Sequence, residues 1–141
     1  MPTQTDPALV ASELRTVLGQ LVRRLRAQHR FPLMHGAVLG RLDRGGARSV
    51  SELAVAERVR PQSMAQTVSE LEADGLLTRR PDPDDGRRAL VELTDRGRTT
   101  LYADRRQRDD WLAQAIELDL SHSEQEVLRA AVELLGRLAE R

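Results

Sequence analysis

The sequence predicts a mainly α-helical fold that carries one small β-hairpin. Helix signals follow one another closely between Ser49 and Gly75, and a dense turn at residues 81–86 separates two short runs of strand-forming residues. Apolar residues with helical spacing occupy both ends of the chain. With 141 residues, the chain is long enough to bury one core, as one domain or as two closely joined lobes.

A first helix is predicted over residues 8–28, after a polar tail at residues 1–7. Its apolar stripe is wide enough to pack against more than one partner. The stripe consists of Leu14, Val17, Leu18, Leu21, Val22 and Leu25. A break at Phe31–Pro32 leads to a shorter helix over residues 33–43 and then to a glycine-containing turn at residues 44–48.

Two central helices are predicted next. Ser49 and Glu52 have the spacing of a capping box, which starts a short helix. Pro61 stands where proline is tolerated at the first position of a second helix. That helix should run to Asp74, because Gly75 can adopt the left-handed geometry that ends it.

The second central helix has one apolar face and one small polar face. Met64, Val68 and Leu71 fall on the apolar side, whereas Gln62, Gln66, Ser69 and Ala73 fall opposite. Glutamine can pair with adenine edges and serine can bond to bases or phosphates, so this face could lie in a DNA major groove. The pattern taken alone equally describes an ordinary surface helix.

A β-hairpin should follow, with strands at residues 76–80 and 89–93. Arg87 and Arg88 stand beside its tip, where cationic side chains could reach phosphates or a minor groove. Asp85 could hold the Arg87 guanidinium by a charge-assisted hydrogen bond, with Gly86 allowing the turn. The alternative is a solvated turn of mixed charge.

The chain should end in two further helices. One covers residues 95–117, and its charged segment at residues 104–110 is expected to be a solvated connector between two lobes. Ser121 and Glu124 form a second capping box and start the last helix. Apolar residues at steps of four and three along that helix suit helix–helix dimerisation, although an intramolecular helix pair remains open. They are Val127, Ala131, Leu134 and Leu138.

Composition excludes several functions. The formal net charge is zero, so binding to nucleic acid would depend on local charge. There is no cysteine, and aromatic residues make up 2%, which argues against thiol chemistry and base-stacking platforms. His29, His35 and His122 have no metal-ligand spacing, and no nucleophile stands beside a base, so no enzyme, metal or cofactor is predicted. Without a long apolar run or a signal-peptide pattern, a cytoplasmic protein away from membranes is expected.

Several segments together resemble the multiple-antibiotic-resistance regulator (MarR) family. The matching segments are Asp85-x-Arg87-x-x-x-Val91-x-Leu93-Thr94, Ser51-Glu52-Leu53-Ala54, Leu71-Glu72-Ala73-Asp74-Gly75-Leu76 and Thr94-Asp95-Arg96-Gly97. The chain departs from the family pattern at Arg58, where glycine is usual, and at Glu57, where an apolar residue is usual. Arg60–Pro61 also replaces a common Ser-Arg pair.

This resemblance implies a homodimeric winged helix-turn-helix transcription regulator. It divides the chain into a tail and dimerisation helix (1–30), a winged helix-turn-helix DNA-binding domain (31–98) and C-terminal dimerisation helices (99–141). The expected partner is double-stranded DNA with a pseudo-palindromic operator. The expected DNA contacts are Ser49, Arg60, Pro61, Gln62, Ser63, Gln66, Ser69, Arg87 and Arg88, with Asp85 and Gly86 supporting the wing. The expected dimer contacts are Leu14, Leu18, Leu21, Val127, Ala131, Leu134 and Leu138.

The resemblance also implies repression that is relieved when a small aromatic or anionic effector enters a crevice between the two lobes. Arg15, His35 and Trp111 are candidate crevice residues because of their polarity. Two alternatives remain open at this point. One is a constitutive DNA-binding protein without a ligand, and the other is a helical dimer that binds a protein partner.

Overall fold

The computed structural model describes residues 4–141, which form six helices and one two-stranded antiparallel sheet. The elements in chain order are α1 (Pro7–Arg26), α2 (Leu33–Gly45), α3 (Val50–Glu57), α4 (Pro61–Ala73), β1 (Leu77–Pro81), β2 (Ala89–Leu93), α5 (Asp95–Asp119) and α6 (His122–Ala139). The predicted fold class is confirmed. The first three residues of the predicted tail lie outside the described range. Over residues 4–141, no helix has the length and apolar character needed to cross a membrane.

The helix ends agree with the predicted ones to within two residues, because the capping chemistry is local. The Ser49 hydroxyl accepts a hydrogen bond from the Glu52 backbone at the start of α3, and Ser121 and Glu124 form a complete capping box at the start of α6. Gly75 has a φ of +76°, as expected for a glycine that ends a helix. The end of α2 was predicted too early: the helix continues through Gly45, so the turn after it begins only at Gly46.

The core lies between α2, α3, α4 and the hairpin. The apolar face of α4 meets apolar residues of its neighbours, and this face orients the helix so that its polar side points outward. The buried apolar residues are Val38, Leu39, Leu42, Leu53, Ala54, Met64, Val68, Leu71, Leu76, Leu77, Val91 and Leu101.

The hairpin pairs Leu77 with Leu93 at its base and Pro81 with Ala89 near its tip. Pro81 therefore belongs to β1, not to the turn where it was predicted. Arg48 forms an isolated antiparallel β-bridge with β2, in which its backbone exchanges hydrogen bonds of 3.0 and 2.7 Å with Val91. This bridge ties the hairpin to the segment just before α3.

The start of α5 fits closely against the start of the hairpin. The Thr94 hydroxyl accepts a hydrogen bond from the Gly97 backbone at 2.9 Å and donates one to the Gly75 carbonyl at 2.6 Å. A Cβ atom at Gly97 would lie 3.0 Å from the Leu76 carbonyl carbon and closer still to its oxygen. The Thr-x-x-Gly segment therefore has a structural role. Thr94 caps α5, and Gly97 has no side chain and so leaves room for the Leu76 backbone.

The charged segment of α5 was predicted to be a solvated connector, and this was wrong at Asp104. Only 1% of Asp104 is exposed. Its carboxylate accepts hydrogen bonds from the Arg30 backbone at 2.8 Å and lies 3.2 Å from both His29 Nδ1 and Arg108 Nη2. Asp104 therefore fastens the loop between α1 and α2 to the middle of α5.

Candidate nucleic-acid interface

The outer face of α4 is exposed and polar. Met64, Val68 and Leu71 are buried on the inner side. The predicted DNA-contacting residues of this helix all lie on the outer side and are exposed: Pro61, Gln62, Ser63, Gln66 and Ser69. The helix is therefore anchored along one side and accessible along the other.

The turn before α4 carries two exposed arginines. Arg58 ends α3 in the left-handed conformation with φ +56°, so it adopts the backbone geometry that glycine would supply. Arg60 is the residue before α4 and makes no side-chain cap. Within residues 4–141, neither guanidinium takes part in an ion pair. Arg58 was noticed in the sequence only as a departure, and its exposure beside α4 makes it a further candidate for a phosphate contact.

Arg87, at the tip of the wing, has a free side chain within the described residues 4–141. No ion pair or side-chain hydrogen bond occupies the Arg87 guanidinium anywhere in the described part of the chain. Asp85 accepts a hydrogen bond from the backbone nitrogen of Arg87 at 3.1 Å, not from its guanidinium. The predicted side-chain contact is therefore wrong, although Asp85 does shape the loop. Gly86 has no positive φ and open space around it, so the turn does not depend on glycine there.

Two predicted DNA contacts are engaged by other residues of the chain. Ser49 is only 4% exposed, and its hydroxyl caps α3. Arg88 forms ion pairs with Asp82 at 2.6 Å and with Glu52 at 3.0 Å. Both residues belong to the framework that carries the interface, so neither is included in the contact set proposed below.

A polar chain connects α2 to the outer face of α4. His35 Nε2 lies 2.7 Å from Glu70 Oε2, and the other Glu70 oxygen accepts a hydrogen bond from the Gln66 amide at 3.2 Å. His35 is therefore engaged at the side of α4. The Glu70 carboxylate restricts the Gln66 side chain through an i,i+4 contact within α4. The contact of Glu70 with His35 spans 35 residues and has no signal in the sequence.

A second polar joint connects α2 to α5. Asp43 accepts hydrogen bonds from the Tyr102 hydroxyl and from Arg105, each at 2.9 Å. The Tyr102 hydrogen bond, together with the Arg105 guanidinium, holds the pKa of Asp43 below its usual value. The same hydrogen bond to the Asp43 carboxylate raises the pKa of Tyr102.

A crevice of about 270 Å³ lies between α2 and α5, next to this joint. Three arginines line it, Arg44, Arg105 and Arg108, together with His29 and the buried Asp104. The predicted crevice residues do not line it. Those residues are Arg15, His35 and Trp111.

The terminal helices leave their apolar side chains uncovered. Within the described chain, neither α1 nor α6 has a buried residue. Large exposed apolar residues on these helices include Val17, Leu18, Leu21, Val22, Val127, Val132, Leu134 and Leu138. Of the other predicted dimer contacts, Leu14 and Ala131 are half-buried.

Comparison with known proteins identifies the family. The MarR family model matches residues 31–88. An uncharacterised helix-turn-helix transcriptional regulator of Mycobacterium bovis is 35% identical over 136 residues, which are 94% of each chain. The crystal structure of a proposed transcriptional regulator from Pseudomonas aeruginosa shares 40% identity over 99% of both chains, with a TM-score of 0.84.

A more distant structure shares the fold. It is a mutant of S. aureus MepR bound to an oligodeoxyribonucleotide, with 21% identity, a TM-score of 0.70 and coverage of 91% of this chain and 96% of that one. The matched family model, the full-length relatives and the helix-turn-helix with its wing agree with one another. The chain belongs to the MarR family of winged helix-turn-helix transcriptional regulators, which bind DNA and are not enzymes.

Proposed function

We propose that this regulator binds a pseudo-palindromic operator as a homodimer, with one α4 helix in each of two successive major grooves. The observation that carries the proposal is the exposed polar face of α4, together with Arg58 and Arg60 just before it and Arg87 at the wing tip, whose guanidinium groups form no ion pair within residues 4–141. These cations supply local positive charge although the whole chain is neutral. The MepR mutant, which has the same fold, is bound to an oligodeoxyribonucleotide, and this supports DNA as the partner.

Gln62 and Gln66 are the base-reading residues of this proposal, because a glutamine amide can pair bidentately with an adenine edge. Ser63 and Ser69 lie on the same exposed face and can bond to bases or phosphates. Arg87 anchors the wing at phosphates or in a minor groove. In the free protein the Gln66 amide donates a hydrogen bond to Glu70. For Gln66 to read a base, this hydrogen bond must either break or persist and hold the amide in the orientation that the base requires.

Dimerisation is supported by the uncovered apolar residues of α1 and α6. Neither helix buries a residue within its own chain, and a second copy would cover both stripes. A C2 dimer presents two copies of α4 related by a twofold axis, so its operator should be a pseudo-palindrome with half-sites about 10 bp apart.

Repression with release by an anionic effector is the regulatory mode that we propose. The crevice between α2 and α5 supports it, because three guanidinium groups line a space that opens to solvent between the two lobes. An effector that favours one arrangement of α2 against α5 would change the spacing of the two α4 helices and weaken operator binding.

Gel-shift titration of alanine variants tests the DNA contacts, using DNA selected from a random-sequence library as the probe. Gln66→Ala should cost about 1–3 kcal/mol on selected DNA and relax the preference at one base position. Arg87→Ala should weaken binding to all sequences and reduce the slope of log affinity against log salt by about one. Arg80→Ala is the matched control, because Arg80 is a wing arginine already paired with Glu92 at 3.1 Å.

Two results would contradict the proposal. One is equal loss of affinity for selected and random DNA in Gln66→Ala, which would remove its base-reading role. The other is an unchanged salt slope in Arg87→Ala, combined with a reduced slope in the Arg80 control.

A further inference from the structure

The second arginine of the wing, Arg88, is engaged by two carboxylates. Arg88 Nε donates a hydrogen bond to Asp82 Oδ2 at 2.6 Å, and its Nη1 lies 3.0 Å from Glu52 Oε1. The guanidinium of Arg87, its neighbour in sequence, engages no carboxylate within residues 4–141. Two adjacent arginines at the same tip therefore have different surroundings.

The Asp82 end of this contact closes the wing loop. Asp82 is only 4% exposed, and its second carboxylate oxygen accepts a hydrogen bond from the Asp84 backbone at 2.9 Å. The Asp82 backbone nitrogen also donates to the Arg88 carbonyl at 3.1 Å. The backbone hydrogen bond from Asp84 and the Arg88 guanidinium hold the pKa of Asp82 below its usual value, so its carboxylate stays ionised to a lower pH than that of an unpaired aspartate.

The Glu52 end of the contact belongs to a different element. Glu52 lies in the first turn of α3, and its carboxylate also accepts a hydrogen bond from the Ser49 hydroxyl at 3.2 Å. Since α3 leads directly through Arg58 into α4, the Glu52–Arg88 pair joins the wing to the helix-turn-helix by side chains. It supplements the backbone bridge between Arg48 and Val91.

We propose that Arg88 is a positioning residue, and not a DNA contact, which holds the wing at a fixed angle to the helix-turn-helix by bridging Asp82 and Glu52. This inference rests on the proposed function, since it concerns how Arg87 and α4 engage one duplex together. A wing held at this angle loses less conformational freedom on binding than a loose one. The bridge engages two of the three guanidinium nitrogens of Arg88, Nε and Nη1.

The decisive variant is Glu52→Gln, because two explanations predict opposite results for it. If Arg88 positions the wing, removing its carboxylate partner weakens binding to library-selected DNA, by roughly 3- to 10-fold for the loss of one charge-assisted contact. If only net charge matters, removing an acid near a polyanion strengthens binding. A single Arg88→Ala variant and the double variant with Glu52→Gln complete a double-mutant cycle.

Arg88→Ala should weaken binding by a similar factor with an unchanged salt slope, and the double variant should bind little worse than Arg88→Ala alone. Arg88→Lys should restore part of the affinity, because an ammonium can still pair with one carboxylate. Arg87→Ala serves as the comparison, since it should reduce the salt slope by about one. Thermal melts of every variant separate a loss of binding from a loss of folding.

A salt slope reduced by about one in Arg88→Ala, or tighter binding by Glu52→Gln, overturns the inference. If Arg88→Ala does not fold, the sign of the Glu52→Gln effect decides alone. A failure of the proposed function looks different, because the unaltered protein would then select no DNA at all.

Discussion

Replacing Leu134 and Leu138 by aspartate should separate the dimer while leaving each chain folded. The two leucines expose 53% and 60% of their surface in one chain, so roughly half of each side chain remains to be covered by a partner. Fully burying a leucine contributes about 1.5–3 kcal/mol, so covering half contributes about 1 kcal/mol. Two such residues on each of two chains give a loss of about 4 kcal/mol, or roughly a 1,000-fold higher dimer Kd.

Desolvation of the new carboxylates adds several kcal/mol to this loss. Sedimentation equilibrium measures the Kd, and circular dichroism checks that the helices remain. Val55→Asp is the matched control, because Val55 is 79% exposed on α3, outside both terminal helices, and its replacement should leave the dimer intact. A double variant that still sediments as a folded dimer at micromolar concentration would refute the assignment of this interface.

Gly97→Ala should destabilise the fold by about 2 kcal/mol or more in urea unfolding, because the added Cβ would clash with the Leu76 backbone. Unchanged stability would contradict that close approach. Tyr102 is the one tyrosine of the chain, so ultraviolet titration should show a pKa above about 10 that falls towards its ordinary value in Asp43→Asn. The stability from this raised pKa should be present below about pH 10 and decrease as pH rises through the folded value. Asp104→Ala should cost about 3 kcal/mol, also by urea unfolding, because it leaves partly buried cationic and backbone donors without their acceptor. A loss below about 1 kcal/mol would contradict that role.

Local chemistry made much of the fold predictable from the sequence. The two capping segments, Pro61 and Gly75 each act within one helical turn, so they mark helix ends without knowledge of the tertiary structure. The faces of α4 were predictable for the same reason, because helical spacing alone separates Met64 from Gln66. The hairpin followed from its turn residues, but its first strand is shifted by one residue, since Leu76 lies outside β1 and Pro81 lies within it.

Contacts between distant residues could not be predicted in this way. Asp104 reads as one more charge in a charged segment, and its burial depends on His29 and Arg30, more than 70 residues earlier. Arg87 and Arg88 are identical in type and adjacent, yet only the packing of the wing against α3 decides which of them is paired with carboxylates. Sequence spacing carries no information on such pairs.

Selection of bound fragments from random or genomic DNA, followed by footprinting and measurement of stoichiometry, most directly tests whether the chain is a dimeric operator-binding regulator. The selected sites should share a pseudo-palindrome whose half-site centres lie about 10 bp apart, with two chains bound to each site. Gln66→Ala should relax the preference at symmetry-related positions in both halves. The absence of any enriched sequence, or binding of a single chain to an asymmetric site, would contradict this conclusion.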